Sequence, residues 1–304
     1  MQKDRSASLD LLKFILSILI VTIHFRPDNY GLYFGYLPSE LSRCAVPAFF
    51  IISGYFMTID SEKSNQWILK ISQLYLLWSA LYFCYFYFIK NSPLDAYFVL
   101  SSIVNGWAHL WYFPALIFSY VIAKSLYNKK TIILTMIIFS LLIIDVYIQY
   151  TKTQFVTVNG YRNFIFVGLP FILTGILIKR HYNQLPKTGY IALSMFILGV
   201  LSIIEYNFNF SNGLEYEVPF ISIPLSVAIV AAFAKIKINR SILTSFLGSA
   251  SVAIYLIHPM LIDVIKTHEV SNTYMINVLL IIIVSSCVYF LSNKFLIGRI
   301  IFGK

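Results

Sequence analysis

Residues 9–25 read LDLLKFILSILIVTIHF, and this stretch decides the fold that we expect. A helix needs roughly 20 mostly apolar residues to cross about 30 Å of hydrocarbon, and this run approaches that length. It is too long for a typical signal-peptide core, and no small-residue cleavage site follows it. We therefore expect a retained membrane helix at the start of the chain.

The rest of the chain has the same character. Of its 304 residues 59% are hydrophobic and 12% are charged, whereas soluble domains carry roughly 25% charged residues. This composition excludes soluble, disordered and disulfide-scaffold proteins. We expect residues 1–304 to form a single all-α, polytopic membrane helix bundle of about ten transmembrane helices. The predicted spans are 9–25, 44–59, 71–90, 110–127, 131–149, 163–180, 190–206, 219–236, 246–266 and 274–293.

Lysine and arginine are distributed unequally between the connections of these spans. If the N-terminus is cytoplasmic, 16 of them lie on the inner side and 6 on the outer side, with Lys13 inside the first span. Basic residues near helix ends set the orientation of membrane proteins. The sequence therefore predicts that both termini are cytoplasmic. The net charge of +10 follows from this bias, and we expect no nucleic-acid partner.

The first span carries a polar stripe. Asp10, Lys13, Ser17 and His24 fall within an arc of about 60° on a helix. Lys13 and His24 lie roughly 16 Å apart along the axis. Ionisable side chains inside a span are costly and usually face the protein interior or a watery cavity. Two interpretations remain open: a polar track that connects the two sides, or an interfacial Asp10–Lys13 ion pair with His24 ending the helix at the headgroups.

Further polar side chains open or end spans on the predicted outer side. One cavity could hold them together with His24, although each alone is equally typical of a structural hydrogen bonder. They are Arg43, His109, Arg162 and His258. Pro259 is expected to kink the helix beside His258.

Three acidic residues near outer helix ends, Asp145, Glu205 and Asp263, are expected to be solvated or ion-paired. No histidine pair has i, i+4 spacing and the cysteines do not cluster, so we expect no metal.

Several motifs occur in a familiar order. They are SLDLLK at 8–13 leading to Ile23-His24, RCAVPAFFIISGY at 43–55, HLWYFPAL at 109–116, Arg162-Asn163 and IYLIHP at 254–259. Together they resemble the integral-membrane family-3 acyltransferases, and also the membrane domain of vancomycin-resistance serine racemases. The first-helix signature of the acyltransferases is an Arg followed, after ten residues, by His. Here Lys13 stands at the Arg position and His24 at the His position.

The resemblance implies ten spans, a cytoplasmic acyl-coenzyme A donor and an exported hydroxyl acceptor. We expect an O-acyltransferase that uses acetyl-coenzyme A and modifies a surface glycan or lipid-linked saccharide at the bacterial cytoplasmic (inner) membrane. The competing reading is a transporter of serine or another small solute; a sensor or scaffold is a third.

The expected site has an outer and an inner part. His24 is the candidate general base or acyl carrier, and Asp10 would orient Lys13. Acceptor contacts are expected from Arg43, His109, Trp111, Tyr112, Arg162 and His258. Either arginine or His109 would stabilise an oxyanion. Trp111 and Tyr112 would stack on sugars or pack against neighbours. Lys70 on the inner side is the candidate contact for coenzyme phosphates, although the positive-inside bias explains it equally well.

Overall fold

The computed structural model describes residues 6–25, 41–91, 95–151, 158–211, 216–268, 270 and 273–303. Within these ranges all regular structure is helical. The α-helices, numbered in chain order, are α1 Ala7–His24, α2 Ala45–Tyr55, α3 Ser61–Cys84, α4 Ala96–Asn105, α5 Tyr112–Leu126, α6 Thr131–Thr151, α7 Val158–Tyr161, α8 Leu169–Arg180, α9 Thr188–Ser211, α10 Ser222–Lys235, α11 Ile242–His268, α12 Tyr274–Ser292 and α13 Leu296–Ile301.

Short 3₁₀ and π-helical turns extend or precede several of these helices. The 3₁₀ turns are Ser42–Cys44 before α2, Ala108–Trp111 before α5 and Tyr182–Gln184 after α8. The π-helical turns are Tyr85–Ile89, which continues α3, and Phe164–Gly168, which leads into α8. Two of these turns, Ser42–Cys44 and Ala108–Trp111, carry candidate site residues.

Each of the ten predicted spans falls on a helical segment. Among the described residues, six segments are long and apolar enough to cross a membrane: α1, α3 with its π-helical turn, α6, α9, α11 and α12. The helices α2, α5, α8 and α10 are shorter, with 11, 15, 12 and 14 residues. The all-helical membrane class is therefore confirmed. The count of ten spans and the cytoplasmic location of both termini stay predictions, and the residues at both ends, 1–5 and 304, lie outside the described ranges.

The short helices form the centre of the bundle. The main buried cluster is built by α1, α2, α5, α8 and α10, whereas α6, α9 and α12 expose many large apolar side chains. Apolar side chains exposed on long helices suit contact with lipid. The four shorter helices thus pack together with α1 in the interior of the bundle.

The central pair, α2 and α8, cross at glycines. A Cβ at Gly54 would overlap the carbonyl oxygen of Ile172, and a Cβ at Gly175 would overlap the carbonyl oxygen of Ile51. Each glycine thus lets the backbone of the other helix approach its own. Small residues serve this purpose in membrane helix packing.

The polar stripe of α1 begins in a tightly packed region. Asp10 is 2% exposed and forms an ion pair with Lys13, with 3.3 Å between Nζ and Oδ1. A Cβ at Gly248 of α11 would lie 2.6 Å from the Asp10 carboxyl carbon, so only glycine leaves room for this side chain. The i, i+3 ion pair expected for these two residues is present.

Candidate functional site

A cavity of about 270 Å³ lies where α1 ends and where α2 and α5, with the 3₁₀ turns before them, begin. Six of the predicted site residues line it: His24, Arg43, His109, Trp111, Tyr112 and Arg162. These residues lie up to 138 positions apart in the sequence, and the fold brings them to the same cavity. Glu217, Val218 and Tyr255 also line it.

His24, the last residue of α1, is exposed and lines this cavity. Its Nδ1 lies 2.9 Å from the carbonyl oxygen of Ile20 one turn back. A carbonyl oxygen only accepts hydrogen bonds, so Nδ1 carries the proton and Nε2 keeps its lone pair. Because the backbone fixes this tautomer, the ring is prepared to act as a base through Nε2.

His258 lies directly behind His24 and does not line the cavity. The ring centroids of the two residues are 5.0 Å apart, and His258 is fully buried. Pro259 has no N–H, so the carbonyl of Tyr255 lacks its helical donor. The Nδ1 of His258 donates to this carbonyl at 2.8 Å. The proline thus explains the orientation of the histidine before it, with Nε2 lacking a partner among the described atoms.

Arg43 is held beside His24 by its own turn. It belongs to the 3₁₀ turn Ser42–Cys44 before α2. The hydroxyl of Ser42 lies 2.7 Å from the hydroxyl of Thr22 on α1. This buried contact ties the turn to the helix end that carries His24.

Arg162 enters the cavity from the bend just before the π-helical turn Phe164–Gly168. The side chain of the next residue, Asn163, accepts hydrogen bonds from the amides of Ile165 and Phe166 at 2.8 and 3.2 Å, which caps the turn. The Arg162 guanidinium lies over the ring of Trp111, 5.3 Å from its centroid. The Arg162 head group is thus placed by a capped backbone and an aromatic face.

Glu217 lies between the two arginines. Its Oε2 is 3.5 Å from Arg43 Nη1 and 3.9 Å from Arg162 Nη1. One carboxylate facing two guanidinium groups leaves the polar wall with an excess positive charge. The Nε atoms of both arginines are buried and have no partner among the described residues. The wall therefore suits an anion or a developing oxyanion.

His109 and Trp111 reach the cavity from the 3₁₀ turn before α5. The backbone enters this turn through Gly106, whose φ is +79° and whose missing Cβ would overlap the backbone of Trp111. Tyr255 on α11 donates its hydroxyl hydrogen to the carbonyl of His109. Both ring nitrogens of His109 are buried without a described partner, and its ring centroid is 5.3 Å from that of His258.

The inner residues are not part of this cavity. On α1 the cavity is lined by residues from Ile20 to His24. Toward the N-terminal end of the helix, Leu12, Leu16 and Ser17 are buried and do not line it. Ser17 donates to the carbonyl of Phe14. The described structure therefore shows no open polar track from Lys13 to His24. The buried apolar side chains of Leu16, Ile20 and Val21 lie on the stretch of α1 between the two ends.

Lys70 is exposed on α3 and is not brought together with His24. Its side chain lies beside Gly303 near the end of the chain, where a Cβ on the glycine would be 3.7 Å from Lys70 Cε. Lys13 lies 5.4 Å from the Phe56 ring centroid. The inner candidates thus form no common site in the described residues, and no group of three or more His, Cys, Asp or Glu residues there has the arrangement of a metal site.

The acidic residues behave differently from one another. Asp263 is ion-paired with Lys90, as expected, at 2.7 Å. Asp145 was expected to be solvated or ion-paired, but it is fully buried and accepts from Gln149 Nε2 at 2.9 Å. Glu217 was not singled out in the sequence. It follows Glu215 in a connection between spans, where acidic residues are common and carry no functional signal.

Comparison with known proteins places this site in a wider context. Residues 6–293 match the family model described as "Acyltransferase domain", which confirms the resemblance seen in the sequence. The serine/alanine racemase of Enterococcus gallinarum is 26% identical over an aligned length of 302, and the alignment covers 88% of this chain and 42% of that protein. The amino-acid racemase of Enterococcus faecalis is 23% identical over an aligned length of 325, and the alignment covers 93% of this chain and 45% of that protein. The chain thus spans less than half the length of these relatives. No solved structure matches it.

Proposed function

The chain belongs to the family defined by this acyltransferase domain, and from that premise we propose that it transfers an acyl group, preferably acetyl, from acyl-coenzyme A to a hydroxyl of a surface glycan or lipid-linked saccharide. The observation that carries the proposal is the fixed tautomer of His24 in a cavity that also holds Arg43 and Arg162. A base beside two cations is what attack of a hydroxyl on a thioester requires. The proposed location is the bacterial inner membrane.

The proposed reaction uses His24 Nε2 as general base. Nε2 takes the proton from the acceptor hydroxyl while its oxygen attacks the thioester carbonyl carbon. The carbonyl oxygen becomes an oxyanion, which Arg43 and Arg162 stabilise. When the intermediate collapses, the C–S bond breaks, and the coenzyme thiolate takes the proton from the His24 imidazolium. Protons and charges therefore balance, and no metal is needed.

Donor access is the demanding step of this mechanism. We place the donor on the side of Lys13 and Lys70, where cations would meet the coenzyme phosphates. The buried side chains of Leu16 and Ile20 lie between that side and the cavity. The proposal therefore requires these side chains to move apart when the acyl-bearing arm enters. The lysine at position 13 keeps the charge of the family arginine without its planar fork.

The test follows a labelled acetyl group. Purified chain in proteoliposomes receives acetyl-labelled acetyl-coenzyme A on one side and saccharide acceptors on the other, and labelled saccharide is measured. Loss of the base predicts that His24→Ala lowers the rate by about 10²- to 10⁴-fold. His268→Ala, which removes an exposed histidine at the end of α11, is the matched control. Unchanged labelling in His24→Ala, with intact folding, would remove His24 from the mechanism.

A second candidate function is transport of serine or another small solute. It is favoured by the two racemase relatives, because the chain matches less than half of each. In this reading the cavity binds a small amino acid, whose carboxylate would meet the arginines. Uptake of labelled serine into vesicles that contain no acyl-coenzyme A would support transport. Acetyl transfer without such uptake would exclude it.

A further inference from the structure

The connection between α9 and α10 supplies one wall of the cavity. Residues 216–221 carry Glu217 and Val218, which line the cavity, and this segment contains no regular helix before α10 begins. Its carbonyls at Pro219, Phe220 and Ile221 accept hydrogen bonds from the start of α10. Side chains from α6 and α9 bind its amides.

Gln149 of α6 holds the part of the connection that carries Glu217. Its Oε1 accepts from the amides of Glu217 and Val218 at 3.0 and 3.2 Å. Its Nε2 donates to Asp145 Oδ2 at 2.9 Å. Gln149 is 6% exposed and Asp145 is fully buried. Because the two backbone amides can only donate, they require the Oε1 end of Gln149 to face the connection, which leaves Nε2 facing Asp145.

Glu205 of α9 holds the other part. Its carboxylate accepts from the amides of Phe220 and Ile221 at 2.7 and 2.9 Å. Tyr150 donates to the same carboxylate at 2.6 Å, and its ring stacks on Tyr216 with centroids 4.0 Å apart. Four consecutive or nearly consecutive amides of the connection are therefore bound by two side chains.

We propose that the Asp145–Gln149 pair positions Glu217, and through it Arg43 and Arg162, for acceptor binding. Polar residues in a membrane helix are costly and are usually retained for a function. On α6 Gln149 reaches across to the backbone of the cavity wall and Asp145 accepts from it, while the neighbouring positions Ile143 and Ile144 are exposed. This role rests on the proposed function, since it concerns the acceptor side of the same cavity. Both residues are positioning residues and touch no substrate.

Kinetics in proteoliposomes test the positioning role. The variant Gln149→Leu keeps nearly the same side-chain volume but removes the two hydrogen bonds to the amides of Glu217 and Val218. Because Arg43 and Arg162 would both contact the acceptor and stabilise the oxyanion, we expect the KM for the acceptor to rise and kcat to fall, so that kcat/KM decreases about tenfold. The double variant Asp145→Asn with Gln149→Glu reverses donor and acceptor within the pair and keeps an acceptor for both amides. It should restore kcat/KM, and Ile144→Leu on the same helix should leave it unchanged.

A second measurement reports on the position of residue 217 without any acyl transfer. Glu217→Cys is introduced into a chain whose Cys44, Cys84 and Cys287 are replaced by alanine, and its labelling by a small charged thiol reagent is timed. Adding Gln149→Leu should change the labelling rate severalfold, and the double variant should restore it. If transfer is absent in every chain but labelling responds as described, the proposed function fails and the positioning role stands. If both kcat/KM and labelling ignore Gln149→Leu, the positioning role is wrong.

Discussion

Arg43 and Arg162 occupy equivalent places beside Glu217, but their surroundings differ. Arg162 lies over the Trp111 ring and its side chain is 26% exposed, whereas the Arg43 side chain is 12% exposed and its turn is tied to the His24 end of α1. Arg43 is the more enclosed arginine, and its turn contacts the helix end that carries His24. It is therefore the better candidate for stabilising the oxyanion. A buried donor also acts in a medium where electrostatic interactions are stronger.

We therefore predict that Arg43→Gln lowers kcat by about 10²-fold, the typical cost of one oxyanion donor. Arg43→Lys keeps the charge but not the fork, so its loss should be smaller, about tenfold. Initial rates at saturating acetyl-coenzyme A and acceptor measure both effects. Arg240→Gln, at an exposed arginine between α10 and α11, is the control. A kcat for Arg43→Gln equal to that of the control would assign Arg43 to structure alone.

At the scale of single residues the sequence predicted part of the site. His24, Arg43, His109 and Arg162 were recognisable because ionisable groups stand out at the ends of apolar runs. Glu217 did not stand out, since its role depends on contacts with positions 43 and 162 that no local pattern encodes. The same limit applies to Asp145, whose burial depends on Gln149 and on a connection 70 residues further along the chain.

Among the helices, α2 and α8 set the spacing of the two arginines. Arg43 lies in the turn before α2 and Arg162 in the turn before the π-helical start of α8. The reciprocal glycine contacts Gly54–Ile172 and Gly175–Ile51 fix how closely the two helices pack. Any change that separates them also moves the cavity walls.

Gly54→Ala and Gly175→Ala are each expected to destabilise the chain by about 1–3 kcal/mol, as overpacking typically does. The added methyl group meets backbone atoms, which cannot rotate away as a side chain would. The midpoint of thermal unfolding in detergent measures the effect. Gly189→Ala in α9, where a Cβ would meet nothing within 4 Å, should leave the midpoint unchanged or raise it. Equal behaviour of all three variants would refute the close-packing role.

Apolar runs in the sequence located all of the long helices, because membrane spans need continuous apolar length. They did not reveal that α2 and α8 are enclosed by protein on most sides. Mean hydropathy is the same for lipid and for a protein interior, so only packing distinguishes the two environments. Gly54 and Gly175 are the residues where the structure shows such packing.

At the scale of the whole molecule, the two ends of the bundle differ in their polar contacts. At one end Arg43 and Arg162 meet Glu217, and Lys90 meets Asp263. At the other end Arg180 donates to the carbonyls of Tyr127 and Lys129, and Lys235 donates to those of Leu185 and Pro186. Connections that the charge bias assigns to one side thus contact one another. The cavity belongs to the end with fewer basic residues.

The orientation itself is tested by thiol labelling of intact cells. In a chain without Cys44, Cys84 and Cys287, Ala108→Cys marks the exposed edge of the cavity and Lys187→Cys marks the connection before α9. Since basic connections are retained in the cytoplasm, a membrane-impermeant reagent should label position 108 in intact cells and position 187 only after permeabilisation. The reverse result would place the cavity on the cytoplasmic side. The acceptor would then reach His24 from the cytoplasm, the side on which the coenzyme donor is made. Transfer to an exported saccharide would no longer follow from this arrangement.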